Sequence, residues 1–189
     1  MRPELVALVA ANIGIGLFFG SMQVSVTAFA VGRDAPGLAG PLYSITSLVS
    51  LIAGIAYGAR RWRLPEPTQL VVALVALSLS CVPLLLVDTP LAVGLALALP
   101  GFALAPFQML SAVLAESQVE PAVLTQAFTW LNSGIAAGIA LGAAIAGRTV
   151  DAYSPHHGFV IALSATVLAA AMAWVVRRTS GQEHRSGQR

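Results

Sequence analysis

Four side-chain amides, Asn12, Gln23, Gln108 and Asn132, stand inside long runs of otherwise apolar residues. A neutral amide moves no proton and attacks no carbonyl; its chemistry is reversible hydrogen bonding, with two donors and one acceptor. In hydrocarbon that capacity must be used, because an unpaired amide there is costly. Asn12, Gly16, Phe19, Gln23 and Ala30 are spaced 4-3-4-7, so on a helix they share one face, with Thr27 at its margin. Gly101, Ala105, Gln108 and Ala112 align in the same way. Two readings stay open for these faces: amides tying one helix to the next, or amides lining a path for a small molecule. Asn132, beside Trp130, is a weaker member of the same set, and Ser111 and Ser133 are expected to bond to their own helix backbone.

Other chemistries lack their residues. No acid and no histidine lies inside any of the apolar runs, so no intramembrane proton carrier, acid pair or Ser–His pair is available. His156 and His157 fall in a connecting segment and read as solvated side chains, not metal ligands. The single Cys81 has no partner for an internal disulfide and reads as a small apolar filler. Neither a Walker A sequence nor a Thr-Val-Gly filter is present. The expectation is a protein that is not an enzyme and uses no metal and no cofactor.

The elements that must hold the amides are defined by where charge is missing. All 18 charged residues lie at or near the ends of uncharged stretches, which run 5–32, 35–59, 67–87, 89–115, 121–147 and 152–176. A helix rises about 1.5 Å per residue, so roughly 20 residues cross a hydrocarbon core about 30 Å thick. An unpaired Arg or Asp at a helix centre costs roughly 2.5–3.5 kcal/mol, which accounts for the empty middles. A charged content of 10% against 57% hydrophobic residues agrees with six transmembrane helices.

The arginines set the orientation, since the chain contains no lysine. With the N-terminus inside, the cytoplasmic segments hold Arg2, Arg60, Arg61, Arg63, Arg177, Arg178, Arg185 and Arg189, against only Arg33 and Arg148 outside. Both termini are thus expected in the cytoplasm, and the pI near 9.2 speaks of topology and anionic lipid, not of nucleic acid. The first stretch competes with a signal peptide ending at Ala28-Phe29-Ala30, but its length and its amides favour a retained helix.

Loops are short, and no soluble domain is visible: residues 1–178 make the bundle and 179–189 a polar cytoplasmic tail, expected to fray from Arg177. Gly134, Gly138 and Gly142, spaced four apart, form a stripe that a neighbouring backbone can approach, either as static helix contact or as a surface for sliding. Gly54 and Gly58 make a shorter copy. Pro100 and Pro106 each remove a donor from the fourth helix, which should bend. Gly/Arg ends at Gly58–Arg60 and Gly147–Arg148 hint at a 3+3 inverted repeat.

Four segments together resemble the C-terminal half of a major facilitator superfamily transporter, closest to bacterial efflux-type members. They are Gly54-x-x-x-Gly58-x-Arg60-Arg61-Trp62-Arg63, Gly101-Phe-Ala-Leu-Ala-Pro106, Thr125-Gln-Ala-Phe-Thr-Trp130 and Ala146-Gly147-Arg-Thr-Val-Asp151. The resemblance spans residues 4 to 176 and implies an all-α bundle with helices one and four facing a central cavity. It would make Asn12, Phe19 and Gln23 cavity-facing with Gln108 opposite, and would put Arg60, Arg61 and Arg63 in an inner-loop gate. The acid of that loop motif, expected near Gly58, is absent here, so a lock built on it is in doubt.

The resemblance also implies the bacterial cytoplasmic membrane as location, and a half-length machine. Met1 falls where a seventh helix would begin, as expected of a true half-size protein, a truncated gene or a late start codon. The implied function is alternating-access movement, in the efflux direction, of an unidentified small organic molecule. It needs a second six-helix half, either the missing N-terminal one or a homodimer mate, and lipid around it. The alternative is a non-transporting six-helix protein, a remnant or an interaction subunit.

Overall fold

The computed structural model describes residues 3–153 and 155–186, and among these all regular structure is helical. Six helices are long and apolar enough to cross a membrane. They are α1 (Pro3–Val31), α2 (Ala39–Ala59, led in by a 3-10 turn at Pro36–Leu38), α3 (Glu66–Cys81, continued by a 3-10 turn at Val82–Leu85), α4 (Pro90–Gln118), α5 (Leu124–Ala152, after a 3-10 turn at Pro121–Val123) and α6 (Pro155–Ser186). The uncharged stretches and the spans coincide at their apolar centres and differ at their ends. There α5 runs on through Arg148 and Asp151, and α6 carries helical backbone through Arg177 to Ser186. The expected fraying at Arg177 is therefore not what the backbone does; Arg2 and Arg189 lie outside the described residues.

Local chemistry explains the breaks. Asp34, in the turn after α1, takes a left-handed φ of 56°, a conformation Asp tolerates better than most residues. Thr89 caps α4 by accepting from the Ala92 N–H at 3.3 Å, with Pro90 in the first helical position, where its missing N–H costs nothing. Pro83 sits where α3 tightens into its 3-10 turn, while Pro41 falls in the first turn of α2, where it needs no kink. α4 runs unbroken through Pro100 and Pro106, both buried. His156, opening α6, meets Asp88 of the α3–α4 connection at 3.2 Å and ties that connection to the start of α6.

Helix α1 is the centre of the bundle: 67% of its most apolar window is buried, against 17% for α2 and 22% for α5. It packs mainly on α5 and α6, α4 packs on α2 and α3, and α3 meets α6. These principal pairings survive an exchange of α1, α2, α3 for α4, α5, α6 in order: α1 on α5 becomes α4 on α2, α1 on α6 becomes α4 on α3, and α3 on α6 maps to itself. Phe18, Leu74, Leu97, Phe107 and Phe159 fill the interior.

The α1–α5 crossing brings backbone against backbone. A Cβ added at Gly138 would overlap the Ile13 carbonyl and stand 2.8 Å from the Gly16 Cα, and one added at Gly142 would stand 2.8 Å from the Leu17 Cα. The relation is reciprocal, since a Cβ at Gly16 or Gly20 would overlap the carbonyl of Ile135 or Ile139. On α2 the shorter pair divides. Gly54 is buried, with its Cβ position 3.1 Å from the Ala105 Cβ, whereas Gly58 faces open space.

Candidate functional site

A cavity of about 490 Å³ opens between α1, α2 and α4. Helix α1 contributes Phe18, Phe19 and Met22; α2 contributes Tyr43, Thr46, Ser47 and Ser50; α4 contributes Pro100, Leu104, Gln108 and Met109 among others. No charged side chain lines it. Its walls are aromatic rings, thioethers and aliphatic carbons, with an amide and hydroxyls at intervals. Such a wall suits an uncharged or weakly polar organic molecule held by contact area and a few hydrogen bonds.

The local structure explains why so little of that polarity is free. The Thr46 hydroxyl donates to the Leu97 carbonyl at 2.8 Å and ties α2 to α4. Ser47 donates back to the Tyr43 carbonyl at 3.2 Å within its own helix. Three groups remain uncommitted, the Ser50 hydroxyl among them. The Gln108 amide has no partner among the described residues, and the Tyr43 hydroxyl is enclosed with none. A buried polar atom without a partner is rare enough to need a reason.

The sequence candidates separate on this geometry. Phe19 and Gln108 stand together in the cavity wall. Asn12 is 1% exposed and not in that wall. Its Nδ2 donates to the Ser111 Oγ and the Leu8 carbonyl, both at 2.8 Å, so it joins α1 to α4. Ser111, expected to bond to its own backbone, is the acceptor of that interhelical bond. Gln23 and Asn132 are exposed on α1 and α5, outside the cavity wall, and their amides have no partner among the described residues. Gly134, Gly138 and Gly142 of α5 are occupied by α1.

Tyr43, Thr46 and Met22 are lining residues that the polar-stripe argument passed over. A signal existed on α2, where Tyr43, Ser47 and Ser50 recur at four- and three-residue steps.

The basic segment between α2 and α3 lies apart from the cavity. Arg60, Arg61 and Arg63 are all exposed and form no ion pair with a described acid. The Arg60 guanidinium sits 4.8 Å from the centre of the Trp62 ring, which in turn stacks on Tyr57 at 5.0 Å. At the opposite end, His156 carries the Asp88 contact and the His157 ring lies 5.1 Å from Tyr153. Among the described residues no group of three His, Cys, Asp or Glu side chains could hold a metal. Cys81 is buried and takes part in no disulfide among the described residues. Compared with known proteins, the chain matches no family model and no curated protein.

Proposed function

We propose that this chain is one six-helix half of a secondary transporter of the major facilitator type, moving a small, largely apolar organic molecule by alternating access. The carrying observation is the set of uncommitted amides. Gln23, Gln108 and Asn132 are exposed and unpaired, and each lies at least eight residues from the nearer end of its helix. Each of these helices has 29 residues, about 43 Å. A core about 30 Å thick, centred on such a helix, covers all three amides, roughly 6–9 Å below its surface. Lipid cannot satisfy an amide at that depth; a water-filled path or a second protein surface can. The symmetric helix pairing favours the same reading, as it suits a 3+3 inverted repeat. The resemblance carried by the Gly54–Arg63 and Ala146–Asp151 segments supplies the family.

In this reading Phe19, Tyr43 and Gln108 bind the cargo, while a second bundle closes the open side of the groove. Efflux from a bacterial cytoplasmic membrane, with both termini inside, follows the arginine distribution and the resemblance. The test is transport by the purified chain in liposomes, using ethidium and Nile red as cationic and neutral probes, with and without a proton gradient. Gradient-dependent flux that Gln108→Leu lowers at least about tenfold, with unchanged insertion, is expected. Absence of flux for both probes, with Gln108→Leu altering only stability or self-association, would instead establish a non-transporting membrane protein.

A further inference from the structure

A second groove runs between α3 and α4 on the outer surface of the bundle, directly beneath the basic segment. It encloses about 200 Å³ and is lined by Val72, Ala73 and Ala76 of α3, and by Leu99, Phe102, Ala103 and Pro106 of α4. Tyr57, Trp62, Leu64 and Gln69 form its mouth. From Gln69 to Ala76 it follows α3 for about 10 Å. Val72 and Phe102 are more than half exposed, so the groove faces the surroundings of the bundle, not its interior.

The mouth is held in one shape. Tyr57 donates its hydroxyl to the Gln69 side-chain carbonyl, and Gln69 donates onward to the Leu64 carbonyl at 2.6 Å. The Trp62 indole N–H donates to the Tyr57 carbonyl at 3.1 Å. Arg60 lies over the Trp62 ring, and Arg61 and Arg63 flank the same indole in sequence. Glu66 is the one acid in the segment, and it pairs with none of the three arginines. Arg60 is thus held at the opening of an apolar groove, at the end of membrane-spanning helices, with Arg61 and Arg63 in the same short exposed segment.

We infer that this groove is a binding site for an anionic phospholipid, with the phosphate held by Arg60, Arg61 and Arg63 and one acyl chain laid along α3 and α4. Charge complementarity selects the headgroup, because unpaired guanidiniums take a phosphate bidentately and a zwitterion offers less net attraction. The apolar wall selects a lipid over a free anion, since inorganic phosphate would leave the groove below it unused. The site is independent of transport and stands on the loop, the groove and the membrane setting alone.

Native mass spectrometry of the purified chain in neutral detergent, with equal amounts of dioleoyl phosphatidylglycerol and phosphatidylcholine, tests it. Retention of phosphatidylglycerol over phosphatidylcholine is expected. The combined Arg60→Gln, Arg61→Gln and Arg63→Gln variant should lower that retention about tenfold or more. Ala76→Trp, which fills the channel and leaves every arginine in place, should lower it too. Equal retention of the two lipids, indifference to either variant, or full displacement by millimolar inorganic phosphate would overturn the assignment. Should the triple variant fail to insert, phosphatidylglycerol with a diazirine on its acyl chain decides the matter on the unaltered chain. Labelling must fall within 69–76 or 99–106, and labelling spread over the whole bundle refutes the site.

Discussion

Asn12 and Tyr43 exchange the roles that residue type alone would give them. The amide, the more polar group, is spent on joining α1 to α4 through Ser111, while the phenol, half apolar, keeps an enclosed hydroxyl without a partner. Periodicity placed Asn12, Phe19 and Gln23 on one helical face, but a face about 100° wide can touch two different neighbours. Which amide meets a partner depends on where α4 lies, and no spacing within α1 encodes that. The free hydroxyl leads to a prediction of unusual sign. A buried unsatisfied polar group costs roughly 1–3 kcal/mol, so Tyr43→Phe should leave the thermal midpoint of the empty protein unchanged or raise it. A clear loss of stability without ligand would mean that the hydroxyl already has a partner.

Helix boundaries were legible to within a few residues because each is set by local rules: a charge that stays out of hydrocarbon, a Thr89 cap, a proline at a first turn. The exception is α6, whose backbone continues beyond the apolar run into polar sequence, where helix propensity is no longer opposed by a membrane boundary. The glycine stripe was also legible, but not its counterpart. Gly16 read as part of a polar face and Gly20 drew no notice, yet both lie against α5. Because the obstructing atoms at Gly138 are backbone, no side chain can swing aside. Gly138→Ala should therefore cost about 3 kcal/mol or more, at or beyond the upper end of the usual range for an added methyl group. Gly58→Ala, with nothing near its Cβ position, should be neutral or slightly stabilising through helix propensity. Thermal unfolding of the two variants in the same detergent checks the contrast, and equal effects would show that the α1–α5 contact is looser than described.

Taken whole, the bundle has surfaces of two kinds. Helix α6 exposes Val160, Val167 and Leu168, side chains at home in lipid, whereas α5 exposes Gln126, Thr129, Asn132, Ser133, Ala136, Ala137 and Ala140, interrupted by Trp130, Leu141 and Ile145. A small-residue and polar face suits a protein neighbour or water better than acyl chains. Spin labels on cysteines at Asn132 and Val167 report this directly, and the buried Cys81 leaves little background. Oxygen collisions in membranes should be several-fold less frequent at Asn132 than at Val167; equal values would remove the case for a second bundle. The expectation of such a neighbour rests on the resemblance. The sequence could not mark which face awaits it, because exposure in a bundle is a property of all six helices together.

The central place of α1 also sets a timetable. Helix α1 finds its chief neighbours in α5 and α6, and Gly138 and Gly142 follow Val31 by more than a hundred residues. At about 5–20 residues per second, roughly 5–20 s of synthesis separate α1 from the helix that will cover its glycines. During that interval Asn12 and the bare backbone around Gly16 and Gly20 must be sheltered by the insertion machinery or by lipid. Substitutions on α5 should therefore first appear as nascent chains lost to quality control, before any mature protein exists to be assayed.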